Sequence, residues 1–375
     1  MILTCILVII FLGLLKSNFI SSILSLGVII WIITLVPHDI YRNNDYAAYL
    51  YVFQNPQYST MEKGFVSLLK FFTAFHFDFD TVRILLLCFT VVILWLGAYL
   101  VSKNTWPVLV GYFFSTFFID QVQLRNTLMW AIVFIGIVFI LRSKLTLKNI
   151  LVFGIIILLS TQFQSSGILY ILIPIFIFRR MKIKSIETIE VKGLGIVQLF
   201  FSGLAVYYIS FFILTPLLGM IQSLLPTHFV NGYLADDGLG GGKNGGIGLI
   251  LYPMQTLGII IIIHILVQEL KKISRKKTEL AEQSLVFEAI SKFNFYLVPF
   301  IAINLNFFRI LRNESIVILV LLSILYMHRD KKYVPLSMVI GTVAIILTGL
   351  WWSTMLVYPN IVVPTLSELQ KYIEY

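Results

Sequence analysis

Charged residues make up only 12% of this chain, so each group of them stands out against an apolar background. The stretch "YRNNDYAAYLYVF" (41–53) follows directly on an apolar run and sets Arg42 and Asp45 among four tyrosines. "MEKGF" then brings Glu62. Arg125 opens a later apolar run in "DQVQLRNTLMW", and Arg309 and Arg312 open another in "NLNFFRILRNES". Arginine presents a fixed fork of donors that suits phosphate and stays charged in a semi-apolar setting. Carboxylates and tyrosine rings stand beside the first of these arginines, at the mouth of an apolar run. Each residue also has a plainer reading. An arginine at a membrane edge can snorkel to the headgroups. Asp45 can hold a turn through Arg42, Glu62 can favour a helix start through the dipole, and Tyr46, Tyr49 and Tyr51 can form an interfacial aromatic belt. His228, in "LPTHFVNGY", is a third base candidate after Asp45 and Glu62, although most lone loop histidines do no chemistry.

The elements that must position these groups are membrane spans. Apolar residues account for 59% of 375 and Phe alone for 31, against roughly 45–50% apolar in soluble domains. About 20 apolar residues cross a bilayer core, and such runs recur near 2–15, 18–36, 83–101, 106–121, 124–142, 149–163, 166–178, 193–216, 248–269, 287–305, 310–327 and 333–352. The pattern predicts an all-α polytopic membrane protein with ten to twelve transmembrane segments, one transmembrane domain over 1–375 and two larger external loops, 37–82 and 217–247. Cys5 and Cys88 both fall inside apolar runs and read as small core residues rather than a disulfide. Neither the charge before the first run nor a small-residue site after it fits a cleavable signal.

Orientation follows from the basic residues. Lys16, Lys103, the 142–148 group, "RRMKIK" at 179–184, "KKISRKK" at 271–277 and "HRDKK" at 328–332 fall on alternate connections, which marks those as cytoplasmic and both termini as external. The formal charge of +10 is thus a topology signal with added affinity for anionic lipid heads. Being split among short loops, it does not suit nucleic acid. "MEKGFVSLLKFFTAFHF" in the first external loop has the periodicity of a short interfacial helix. The second loop carries "DDGLGGGKNGGIG", with seven glycines. It fails as a phosphate loop because Asn244 follows Lys243, and it reads as a flexible linker or a mobile lid. Ionisable groups inside a bundle cost on the order of 3 kcal/mol each and point to a functional site by default. Three arginines on a face otherwise poor in positive charge therefore suggest a lipid-linked phosphate or diphosphate.

Arg42, Asp45-Tyr46, Tyr49 and Glu62-Lys63-Gly64-Phe65, followed by Arg125 at the start of "LRNTLMWAI" and a late arginine at 309 or 312, resemble the EpsG-like branch of the Wzy-type bacterial polysaccharide polymerases. Two departures stand out. Where the family often has His-x-Ser-Ala, this chain has "TQFQSSGILY", with Gln164 in place of the His and Ser166 retained. No base is available at that position, and Gln164 becomes a sugar-binding candidate instead. The glycine of the family's Arg-to-Asp turn is replaced by Asn44 or its neighbour, and Asn tolerates left-handed backbone angles.

The resemblance implies a glycosyltransferase of the bacterial cytoplasmic membrane, acting at its outer face on undecaprenyl-diphosphate-linked oligosaccharide to build capsule, O-antigen or exopolysaccharide. A sugar hydroxyl of one unit attacks the anomeric carbon of the growing chain and the carrier diphosphate leaves. Arg125, Arg309 and Arg312, with Arg42 as a fourth, would meet the charge on the leaving group. Asp45, Glu62 or His228 would take the proton, and Tyr46, Tyr49 and Gln164 would bind sugar. The expected partners are the lipid-linked substrate, membrane lipid and a chain-length regulator protein, with no metal, cofactor or nucleic acid. Two other classes stay open. A flippase for the same lipid-linked units should show repeat symmetry or matched broken helices in its halves, which the sequence lacks. A transferase using lipid-monophosphate sugars would place acids such as Asp39 and Asp45 in its first external loop.

Overall fold

The structure is a computed structural model. It describes residues 18–36, 44–182, 193–214, 216, 217, 220, 248–274, 278–328, 335–352, 361–365 and 367. Arg42, His228, Cys5, the 2–15 run and the glycine-rich stretch through 247 lie outside the described residues. What is described is all-α. Six helices are long and apolar enough to cross a membrane, at 79–102, 124–142, 195–214, 250–274, 280–303 and 308–328, and shorter apolar helices lie at 19–35, 106–115, 147–160 and 336–349. By helix length and composition this is a multi-pass membrane protein.

The chain forms two compact units, 1–171 with 315–330 and 342–375, and 172–314 with 331–341. In the first, α1 (Asn18–Leu35) is followed by two short helices in the first large connection, α2 (Asn44–Gln54) and α3 (Lys63–Ala74). α3 buries Phe65, Val66 and Leu69, one stripe at helical spacing, as its periodicity predicts. α4 (Phe79–Ser102) starts at Asp78, whose carboxylate accepts from the Thr81 N–H at 2.9 Å and its hydroxyl at 2.7 Å. Those donors hold the Asp78 carboxyl below the usual carboxylate range. After α5 (Trp106–Ser115) and the single turn α6 (Phe117–Asp120) comes α7 (Leu124–Arg142), then α8 (Leu147–Ser160).

α7 packs against both α4 and α8, and 78% of its apolar window is buried in the protein. It is an inner helix, apolar all round as such a position requires. Gly97 lets α4 approach it, since a Cβ there would come 2.6 Å from the Phe134 ring. The unit also includes the 315–328 part of α14 (Phe308–His328), where the Ser323 hydroxyl donates to the Asn104 carbonyl at 2.6 Å.

In the second unit, α9 (Leu172–Lys182), α10 (Gly193–Ile209), α11 (Gly248–Ser274), α12 (Thr278–Tyr296) and α13 (Val298–Ile303) precede the start of α14. α12 packs on α9 and α11. There the Glu288 carboxylate meets Lys271 at 2.9 Å, Lys292 at 3.2 Å and Arg180 at 3.7 Å. α15 (Leu336–Trp352) closes the sequence of helices.

Candidate functional site

Arg125 is the second residue of α7. A cation is disfavoured at a helix N-terminus, where the backbone dipole is already positive, so a counter-charge is expected there. Glu62 supplies it from 63 residues away in sequence: Arg125 Nη1 donates to Glu62 Oε2 at 2.6 Å. Glu62 precedes α3 as its N-cap but makes no side-chain cap hydrogen bond to that helix. Its other oxygen, Oε1, accepts from the backbone N–H of Ser165 at 2.8 Å. The side chains are 27% and 12% exposed, so the pair is sheltered well beyond the surface ion pairs that contribute little.

The surroundings hold this pair in place. The Phe65 N–H donates to the Gln162 carbonyl at 3.0 Å. Gly64 lies so close to the same residue that a Cβ would come 2.6 Å from Gln162 Cβ and 2.7 Å from its carbonyl oxygen. The Tyr49 ring packs edge-on against Phe65 at 5.5 Å and faces the Arg125 guanidinium at 5.8 Å. Segments 49, 62–65, 125 and 162–165, which the sequence assigns to the outer ends of their elements, thus meet at one place within the first unit. On Arg125 itself, the buried Nε has no hydrogen-bond partner.

The other expected residues are distributed as follows. Asp45 sits half-buried in the first turn of α2. Tyr46 is buried; its hydroxyl donates to Asp80 Oδ1 at 2.6 Å and its ring packs on Phe79 at 5.2 Å. Burial and then the Asp80 carboxylate push the Tyr46 hydroxyl far above its ordinary pKa, so it remains a donor. Tyr49 is buried and Tyr51 is exposed. Gln164 is half-buried, and its carbonyl accepts from the Gly167 N–H at 3.0 Å. Arg309 is half-buried and Arg312 is 2% exposed, both in the first turns of α14 within the second unit.

Sequence reasoning missed a second polar group. Arg83 in α4 is 4% exposed, donates from Nη2 to the Val36 carbonyl at 3.4 Å, and lies within electrostatic reach of Asp80 and Tyr46. The signal was the Asp80–Arg83 spacing of three in "DFDTVRILL". It was passed over because the apolar run begins at 83, which makes Arg83 look like an edge anchor. Glu314, fully buried in α14 with neither oxygen hydrogen-bonded, was missed as well. Among the described residues, no three His, Cys, Asp or Glu side chains come together as a metal site would require.

No curated protein and no solved structure matches the chain. The model of the EpsG family matches residues 23–367, which runs from within α1 through α15 and takes in every element that builds the Glu62–Arg125 pair. The chain belongs to the EpsG family.

Proposed function

We propose that this protein is a polysaccharide polymerase that transfers a glycan from undecaprenyl diphosphate onto a second lipid-linked repeat unit at the outer face of the cytoplasmic membrane. Family membership points to polysaccharide biosynthesis by a membrane protein. The observation that carries the finer reading is the pairing of Glu62 with Arg125, which sets a proton acceptor beside a phosphate-binding fork. In the reaction the acceptor hydroxyl gives its proton to a carboxylate, and its oxygen bonds to the anomeric carbon. The bond from that carbon to the diphosphate oxygen breaks, with the electron pair staying on the diphosphate. Arg125 meets that charge; Arg309 and Arg312, in the second unit, stay diphosphate-ligand candidates by residue type alone. Among the described residues, Glu62 is the base candidate whose contact with a candidate ligand arginine is seen. Asp45 is the alternative.

The test is genetic and chemical. Cells lacking the protein should accumulate single repeat units on the carrier lipid, exposed outside. Units trapped on the inner face would instead indicate a flippase, and absence of complete units an early transferase. Complementation with Arg125→Gln or Glu62→Gln should leave polymer at about 1% or less of the wild-type level, in line with loss of one electrostatic or general-base contribution. Full polymer with both variants would remove this pair from the mechanism. If Asp45→Asn alone abolishes polymer while Glu62→Gln keeps it, the base is Asp45.

A further inference from the structure

Glu62 and Arg125 already spend a contact on each other before any substrate arrives. An Nη1 donor that could meet a diphosphate oxygen goes to Glu62 Oε2 at 2.6 Å, and the same contact holds that oxygen beside the cation rather than beside an acceptor hydroxyl. We propose that the Glu62 carboxylate is a resident counter-ion which the diphosphate of the substrate displaces from Arg125, so that donor binding itself releases the base. This rests on the polymerase reading and adds a regulatory step to the same site.

Three observations support an exchange rather than a permanent strut. First, Glu62 is held at two points that can separate: Oε2 goes to a side chain, whereas Oε1 goes to the fixed Ser165 N–H. The backbone of 62–65 is pinned to Gln162 by the Phe65 hydrogen bond and the close seat of Gly64. A rotation of the carboxylate about its Ser165 contact therefore opens the pair without moving α3. Second, Arg125 does not use its whole fork on Glu62. Its Nε–H is buried without a hydrogen-bond partner. A buried donor left unpaired is costly, and it is the type of group that an oxyanion satisfies. Third, the Tyr49 ring backs the guanidinium at 5.8 Å, so Arg125 keeps a contact that holds its plane when the carboxylate leaves.

A diphosphate carries more charge and more acceptor oxygens than one carboxylate, and the guanidinium has further donors to offer it beyond the one on Glu62. Once released, Glu62 keeps the Ser165 N–H and presents its freed oxygen to the acceptor hydroxyl. The proton then moves to Glu62 as the new glycosidic bond forms and the diphosphate leaves with the electron pair. The sequence of events ties deprotonation of the acceptor to the presence of a donor.

The exchange makes a prediction that a structural ion pair does not. Removing the competing charge should strengthen anion binding while weakening turnover. Purified full-length protein in nanodiscs is titrated with inorganic diphosphate and with farnesyl diphosphate by calorimetry. Glu62→Gln should bind both roughly tenfold more tightly than wild type, the order of effect expected from one sheltered charge pair, and Arg125→Gln should bind them at least tenfold more weakly. Glu62→Asp, one methylene shorter, should give an intermediate gain and serves if the Gln variant melts at a lower temperature. Equal or weaker diphosphate binding by both Glu62 variants, or no binding by any form, would overturn the exchange. Normal polymer in cells carrying Arg125→Gln would overturn the polymerase site separately, whatever the titrations give.

Discussion

Arg309 and Arg312 share one face of α14 by their spacing, yet the protein treats them differently. Arg309 is half-buried, whereas Arg312 is 2% exposed, and a guanidinium that reaches no water is not snorkelling. The lysine test separates a point charge from a fork. Arg312→Lys should cut polymer by roughly tenfold or more, the size of a lost charged hydrogen bond, with normal protein level on immunoblots. Arg309→Lys should be tolerated. Full polymer from Arg312→Lys would leave it a packing role. Residue types at this scale were legible, because a charged side chain beside an apolar run announces itself. Partnerships were not. Glu62 looked equally able to favour the start of its own helix, and only the fold shows its oxygens turned to Arg125 and to a backbone N–H at 165. Tyr46 and Tyr49, the sugar-platform candidates, have rings buried against phenylalanines, and the Tyr46 hydroxyl donates to Asp80, neither of which their spacing shows.

Elements were legible wherever an apolar run is continuous and hidden wherever it bends. The run 124–142 coincides with α7 at both ends. The run 106–121 does not make one helix: it ends at Ser115 and resumes for a single turn at Phe117. The run 166–178 begins as the 3-10 turn from Ser165, and the Ser165 N–H at its start goes to Glu62. α12 starts at Thr278, well before its apolar stretch, because "TELAEQS" continues the helix with polar residues. The hinge between elements that matters most is the seat of Gly64 on Gln162. Gly64→Ala would place a methyl 2.6 Å from Gln162 Cβ and 2.7 Å from its carbonyl oxygen, and backbone cannot swing aside as a flexible side chain can. The variant should lose about 1–3 kcal/mol of stability, as overpacked sites do, seen as a lower melting temperature in detergent. Polymer should fall with it because Glu62 is lifted from Arg125. An unchanged melting temperature and full polymer would mean that α3 and the 162 turn are not held together.

At the scale of the whole molecule, the basic clusters assign the connections to two faces, and within each unit ends assigned to one face meet. Glu62, the N-terminus of α7 and the C-terminus of α8 with the turn after it all belong to connections assigned outward, and they meet. Lys271, Arg180 and Lys292 belong to ends assigned inward, and they meet on Glu288. A wrong span count between 62 and 165 would have put partners on opposite faces of the bilayer. Which face is which still rests on charge alone, and a labelling experiment decides it. In a background with Cys5 and Cys88 replaced, a single cysteine at Thr60, exposed just before Glu62, should react with a membrane-impermeant maleimide in intact cells. One at Lys144, exposed in the connection between α7 and α8, should react only after permeabilisation. The reverse pattern would place the Glu62–Arg125 pair on the cytoplasmic side. It could not then meet a lipid-linked glycan at the outer face, and the arginines would have to be read again as ligands for a cytoplasmic phosphate donor.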